Sequence, residues 1–397
     1  MEPVWHEVPA CAGMTVTGGA APAKGLAMID PAADLLPEGL EDRLPQSTAA
    51  AARIERAVLA VLDAHGYDRV RPPLIEFMQS IARRMDGVRT RKLFRFVDPR
   101  SLRTLALRSD MTPQVGRIAA TGLAGKPRPL RLCYAGQVVR IAGDQLDPRR
   151  ENLQLGAELI GSDTVAAAAE VVELAIASLE AAGAGGISVD FTLPDLVETL
   201  ATGEFPLRAD QVQAVREKLD AKDAGGLREA GGEAYVPLLY ATGPFDEAIG
   251  KLATIDAQGA LASRIEGLRQ IAARVAGRAR LTLDPSERHG FEYQTWLGFT
   301  LYAEGVRGTL GRGGTYRIHG SDEAAIGFSL YPEELVEAVK AREPRRDAVF
   351  LPLGHDPAAA ARLRAEGWRT VAALSTGDDA AALGCTHRLE GDELKAL

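Results

Sequence analysis

Between residues 93 and 160 apolar alternation comes in short segments, joined by connections too brief to hold a crossover helix. Strands linked that way pair antiparallel, because a parallel return needs about a dozen residues or more, usually helical. The pattern predicts a hairpin from residues 93–97 to 104–108 across Asp98-Pro99-Arg100, a helix over 111–121, and strands over 130–141 and 152–160. An antiparallel sheet interrupted by helices is α+β architecture.

The remainder of the chain extends that plan. Residues 47–65 carry Ile54, Val58, Leu59 and Leu62 at helical spacing, with Ser47 as the expected N-cap and Gly66 as the stop. Residues 67–71 form a short strand ended by Pro72-Pro73, and Ser162 is expected to cap a helix reaching about Ala182 before a strand over 187–192. Residues 195–278 almost lack β-branched alternation, while 209–219 and 261–275 have helical spacing, which predicts a helical insertion. Strand signals return at 281–283, 291–295, 299–303 and 325–330, the last followed by a helix over 333–341. Beyond a charged linker at 342–346, residues 348–353, 358–366 and 369–374 read as strand, helix and strand. The expected division is a disordered tail over 1–28, a core of 29–194 and 279–341, an insertion of 195–278, and a small α/β domain of 342–397. The tail lacks both periodicity and the basic start and apolar run of a signal peptide, and Met14 and Met28 are alternative starts.

Composition excludes some functions. The chain has 397 residues and a formal net charge of −8, which argues against a nucleic-acid surface covering much of it. Arg83, Arg84, Arg89, Arg91, Lys92 and Arg95 form a local basic cluster, read as solvated surface or an anion site. Cys11, Cys133 and Cys385 are far apart and show no CxxC spacing, so neither a disulfide framework nor a zinc site is expected, and a reducing cytoplasm is. His289 and His319 stand alone without metal-ligand spacing, and no apolar run is long enough to cross a bilayer.

Four segments could carry chemistry. In Leu153-Gln154-Leu155-Gly156-Ala157-Glu158-Leu159 the strand period puts Gln154, Gly156 and Glu158 on one face. An amide and a carboxylate up to about 13 Å apart, with open space above the glycine, would make a polar floor suited to an amino acid. A solvated outer face explains the same pattern. At Leu107-Arg108-Ser109-Asp110-Met111-Thr112-Pro113 a strand runs into a helix, so Asp110 and Thr112 either face a pocket or cap the helix. Arg140 ends a strand, where it can grip an anion or pair with Glu158. Gly311-Arg312-Gly313-Gly314-Thr315-Tyr316 reads as a glycine-rich turn and lacks the Lys-Ser/Thr ending of a phosphate loop.

Taken in order, these segments resemble the class II catalytic domain of histidyl-tRNA synthetase. Tyr134-Ala135-Gly136-Gln137-Val138-Val139-Arg140 and Leu155-Gly156-Ala157-Glu158-Leu159-Ile160-Gly161 look like motif 2 and the strand after it. Leu107-Arg108-Ser109-Asp110-Met111-Thr112 resembles Leu-Arg-Pro-Glu-Gly-Thr, and Gly290-Phe291-Glu292-Tyr293-Gln294-Thr295 falls at the family's Gly-Leu-Asp-Tyr-Tyr-Thr. Gly313-Gly314-Thr315-Tyr316 falls at Gly-Gly-Arg-Tyr and Gly327-Phe328 at motif 3, so the match runs from about residue 35 to 341. The resemblance implies an amino-acid pocket at Asp110, Thr112, Gln154, Glu158 and Tyr293.

The departures matter more. The Arg before the tyrosine pair is His289, the second Tyr is Gln294, the second motif 2 Arg falls at Gly143, and the motif 3 Arg falls at Glu334. Adenylation needs positive charge against a phosphoryl group, so these losses imply a protein without catalysis of its own. The C-terminal piece is also short for an anticodon-binding domain. A pocket kept without phosphate machinery resembles the regulatory-subunit family of ATP phosphoribosyltransferase. That resemblance implies a homodimer within a hetero-octamer containing the short-form catalytic subunit, histidine as feedback effector, no cofactor, no tRNA and no membrane. The alternative is a divergent aminoacyl ligase.

Overall fold

The computed structural model describes residues 35–82, 93–143, 147–288, 294–318, 320–321, 323–340 and 347–397. The expected tail over 1–28, the basic cluster other than Arg95, His289, Gly290, Phe291, Glu292, Tyr293, His319 and the linker at 342–346 lie outside the described residues.

In chain order the first part contains α1 (Pro45–Ala64), β1 (Asp68–Arg69), β2 (Ile75–Phe77), α2 (Met78–Ala82), β3 (Arg95–Val97), β4 (Thr104–Leu107), α3 (Thr112–Ala120), β5 (Leu130–Val139), β6 (Glu151–Ile160), α4 (Val165–Ala181) and β7 (Ser188–Thr192). The helical stretch follows as α5 (Leu196–Ala201), α6 (Ala209–Asp220), α7 (Ala224–Glu229), a 3-10 segment (Glu233–Tyr240), the two-residue β8 (Gly243–Pro244), α8 (Phe245–Ile255) and α9 (Ala262–Arg274). Then come β9 (Arg280–Leu283), β10 (Gln294–Tyr302), β11 (Gly311–Ile318), β12 (Glu323–Leu330) and α10 (Glu333–Lys340). The last part is β13 (Ala348–Leu351), α11 (Pro357–Ala365), β14 (Arg369–Ala372), β15 (His387–Glu390) and β16 (Glu393–Ala396).

Nine strands form the main sheet in the order β1-β5-β6-β12-β11-β10-β7-β9-β8. Its pairs are antiparallel except β1 with β5 and β7 with β9, whose connections are long enough for a parallel return. The expected hairpin forms, but β3 and β4 join β2 in a separate three-stranded sheet. The glycine-rich segment expected to be a turn is strand β11, because its glycines let large side chains of the neighbouring strands lie flat across it. The two expected strands at 291–295 and 299–303 are continuous within the described part as β10, with a register shift between Gln294 and Gly298. The short ending beyond β14 folds back as the hairpin β15–β16, completing a sheet of order β14-β13-β15-β16.

One face of the main sheet is apolar. Leu153, Leu155, Ala157 and Leu159 of β6 pack there with Ile54, Val58 and Leu62 of α1 and with α4. Helix α4 is apolar nearly all round, from Ala167 to Leu179, because it lies between the sheet, α1 and α9. Leu219, Leu227, Tyr235, Leu252 and Leu268 of the helical stretch belong to the same buried cluster, so this stretch is continuous with the core. The helix starts differ from expectation. Pro45 at the first position begins α1, leaving Ser47 inside it, and Thr164 rather than Ser162 caps α4 by accepting a hydrogen bond from the Ala167 N–H. Gly66 does end α1, at φ +77°.

Cross-strand glycines set the sheet's other face. Tyr134 stands opposite Gly156, and Glu158 stands opposite Gly327. A Cβ at Gly156 would sit 2.5 Å from the Tyr134 hydroxyl oxygen, so the space above that glycine is filled by the Tyr134 side chain rather than open as expected. Gly156→Ala is therefore predicted to lose about 1–3 kcal/mol of stability through overpacking, read as a lower urea midpoint. An unchanged midpoint would contradict this packing.

Candidate functional site

The polar floor is buried, which disposes of the solvated-face alternative. Gln154 is 0% and Glu158 1% exposed. Strand alternation carries both side chains away from the apolar core, and α3 with Met111 and Val115 closes over part of the same face. Polar groups in such a place need partners, and the neighbouring strands supply them.

Glu158 accepts the Tyr134 hydroxyl at 3.0 Å on Oε1 and the Tyr316 hydroxyl at 2.8 Å on Oε2. The Tyr134 oxygen also lies 3.0 Å from Ser329 Oγ and 3.3 Å from Thr112 Oγ1. Gln154 donates through Nε2 to Ser329 Oγ at 2.8 Å and to Asp110 Oδ1 at 2.7 Å, and its Oε1 accepts the Met111 N–H at 2.9 Å. Asp110 Oδ1 in turn accepts the Thr112 N–H at 3.0 Å, so Asp110 both steadies the start of α3 and holds Gln154. Asp110, Thr112, Gln154 and Glu158 are thus brought into one network, whereas Tyr293 lies outside the described residues.

Sequence reasoning missed Tyr134, Tyr316, Ser329 and Arg312 as parts of this site. Reading 311–316 as a turn hid the alternation that puts Arg312, Gly314 and Tyr316 on one face. A cavity of about 20 Å³ opens beside Glu158, walled by Thr112, Gln294, Arg312, Tyr316 and Ser329. Within the described residues that is about the room one water needs. Gln294 forms its wall with Nε2 donated to Gly313 O at 2.9 Å.

Arg140 and Arg149 are committed elsewhere. Arg140 does not pair with Glu158, because the strand register puts Glu158 opposite Leu132, far along β5 from Arg140. Its guanidinium lies 5.3 Å from the Tyr331 ring centroid instead, a cation–π arrangement. Arg149 is bound by Asp147 at 2.6 Å and by Glu334. A side chain at Gly143 would run into the backbone of Asp147 and Pro148. Glu333, beside Glu334, accepts the Leu153 N–H at 2.5 Å and Arg43 at 2.9 Å, which fastens α10 to β6. Among the described residues no His, Cys, Asp and Glu cluster could hold a metal, and no helix is long and apolar enough to cross a membrane.

This architecture defines the class: an antiparallel sheet, helices packed on its apolar face, and a buried polar network on the other is the class II aminoacyl-tRNA synthetase fold. The histidyl-tRNA synthetase family profile matches residues 39–335. A solved Bacillus halodurans structure, described as an ATP phosphoribosyltransferase regulatory subunit/histidyl-tRNA synthetase, shares the fold at TM-score 0.76 and 23% identity, covering 90% of this chain and 97% of that one. Histidyl-tRNA synthetase from Nostoc shares it at TM-score 0.72 and 15% identity, over 89% and 90% of the two chains. Among relatives, the ATP phosphoribosyltransferase regulatory subunit of Rhodospirillum centenum is 41% identical, over 93% of this chain and 98% of its own. That of Paramagnetospirillum magneticum is 40% identical, over 90% and 96%. The chain belongs to the ATP phosphoribosyltransferase regulatory subunit family, a branch of the histidyl-tRNA synthetase fold.

Burial pushes the Glu158 carboxyl from 4.5 up to about 8. The Asp110 charge adds to the rise, while the hydroxyls of Tyr316, Thr112 and Tyr134 oppose it. The folded protein therefore keeps a proton that the unfolded chain releases, and this group's contribution to stability falls as pH rises from about 4.5 through about 8. Glu158→Gln should flatten that dependence, its advantage over wild type growing across this window by on the order of a few kcal/mol. Urea midpoints measured from pH 5 to 8.5 test it, and parallel curves for the two proteins would contradict it.

Proposed function

We propose that this chain is a non-catalytic regulatory subunit that activates a short-form ATP phosphoribosyltransferase catalytic subunit and confers feedback inhibition by histidine. The complex would be a hetero-octamer built on homodimers of this chain, working in the cytoplasm in the first step of histidine biosynthesis. Reaction chemistry, with ATP and phosphoribosyl pyrophosphate, would lie in the partner. The one observation that carries the reading is an asymmetry of charge. A buried carboxylate with two hydroxyl donors is kept beside a cavity, while Arg140 faces Tyr331 and Arg149 is neutralised by Asp147 and Glu334.

Histidine would bind with its ammonium against Glu158, and Asp110, Thr112, Gln154 and Tyr293 would complete the site. A cation there favours the ionised carboxylate, so binding would draw the Glu158 proton off. Histidine must bind the inhibited state of the complex more tightly than the active one, and the inhibited state then binds histidine better by the same factor.

Co-expression with a short-form catalytic subunit tests this directly. The pair should purify together, make product and be inhibited by histidine. Glu158→Gln should raise the half-inhibitory histidine concentration about tenfold or more, equivalent to about 1.4 kcal/mol. A pair that never associates, or whose variant keeps the wild-type histidine response, would contradict the proposal.

A further inference from the structure

The turn between α6 and α7 holds a lysine where the backbone calls for glycine. Lys222 follows Ala221, the C-cap of α6, and has φ +55°, in the left-handed region that helix ends normally give to Gly. Its N–H donates to Leu219 O at 3.0 Å and the Asp223 N–H to Lys218 O at 2.9 Å, so this conformation belongs to the helix end itself. A glycine would serve the turn with less strain, and what the lysine adds is its side chain. That side chain reaches the segment after β9, where Nζ donates to Asp284 Oδ1 at 2.7 Å and to the buried Ser286 Oγ at 2.8 Å. Asp220, at the same end of α6, accepts the Arg288 N–H at 2.8 Å. Residues 284–288 are thus sewn to the helical stretch, whose Leu219 and Leu227 anchor both helices in the main core.

The segment so held runs beside the cavity. The Asp284 N–H donates to Phe191 O at 2.9 Å, so the segment leaves the sheet next to Thr192, in the row that continues through Gly298 to Gly314. Gly314 lines the cavity, three strands or about 14 Å from Asp284. Asp190, Thr300 and Arg312 form the next row on the same face. Glu287 lies within electrostatic reach of both Lys222 and Arg312, and Tyr302 has Glu287, Asp190 and Arg312 as charged neighbours. Glu287 therefore stands between a lysine of the helical stretch and an arginine of the cavity wall. Beyond Arg288 the chain runs on to Gln294, another wall of the same cavity.

We propose that Lys222 is a positioning residue of the effector site: it holds residues 284–288 against the cavity wall and so links occupancy of the cavity to the packing of α6 and α7. This rests on the cavity being the amino-acid site. Lys222 does not itself line the cavity. A partner docking on α6 or α7 would then alter affinity for the effector, and the effector would alter docking by the same factor. The competing account is a plain clasp that stabilises the turn and nothing more.

Calorimetric titration and hydrogen exchange of the full-length chain, with and without saturating histidine, separate the two accounts. Wild type should bind histidine and, once bound, exchange more slowly over residues 209–229, the span of α6 and α7. Lys222→Met should bind histidine about fivefold or more weakly and lose that slowing. Lys222→Arg should keep both. Lys222→Gly relieves the turn while removing the ammonium, and it should match Lys222→Met. Faster exchange over 209–229 in Lys222→Met with unchanged histidine affinity would assign a plain clasp and overturn the inference. So would the absence of any histidine effect on that span in wild type that binds histidine. A wild type that binds no histidine would overturn the amino-acid site, and the inference with it.

Discussion

A carboxyl group buried in the middle of the sheet is the constraint around which this molecule is arranged. Glu158 is cut off from bulk solvent, and burial of an unpaired carboxylate is costly. The cost is offset in part by two tyrosine hydroxyls delivered from opposite sides, Tyr134 on β5 and Tyr316 on β11, and in part by the group keeping its proton up to about 8. Each delivery needs room. Gly156 gives way to Tyr134 and Gly327 to Glu158, which is why glycines recur at cross-strand positions where a strand interior would otherwise favour larger residues. Gln154 then links the network to Asp110 and to the first turn of α3. Site and sheet cannot be separated energetically, because the same glycines serve both.

The second feature is what has become of the positive charge. Attraction for a triphosphate requires cations free to turn toward it. Here Arg140 is set against an aromatic ring, Arg149 is closed between Asp147 and Glu334, and the backbone around Pro148 leaves no room for a longer residue at Gly143. Binding an effector makes a smaller demand than catalysis. It needs a difference in affinity between two states of an assembly, not stabilisation of a transition state. On the proposed reading, a synthetase fold that keeps a buried polar network and turns these arginines elsewhere would meet the first demand without the second.

Much of this was legible in the sequence because it rests on period and order. The alternation in residues 153–159 and the short connections around them led to the antiparallel ladder and to Gln154 and Glu158 on a common face. Hidden from it were features set by tertiary contact. Nothing in the segment 311–316 distinguishes a glycine-rich turn from a strand whose glycines accept side chains from neighbours, so Tyr316 and Arg312 went unnoticed. Tyr134 filling the space above Gly156 depends on cross-strand register, which local pattern does not contain. The cap of α4 moved from Ser162 to Thr164 because two hydroxyls within three residues compete for the same role. The hairpin β15–β16 was missed because its strands are mostly exposed and carry little apolar alternation.

The central claim is that this fold retains an amino-acid site but does not activate an amino acid with ATP. Amino-acid-dependent ATP–pyrophosphate exchange by the purified chain alone tests that most directly. The account predicts no exchange above background with histidine or any other amino acid. Measurable exchange, or isolation of an aminoacyl-adenylate, would contradict it.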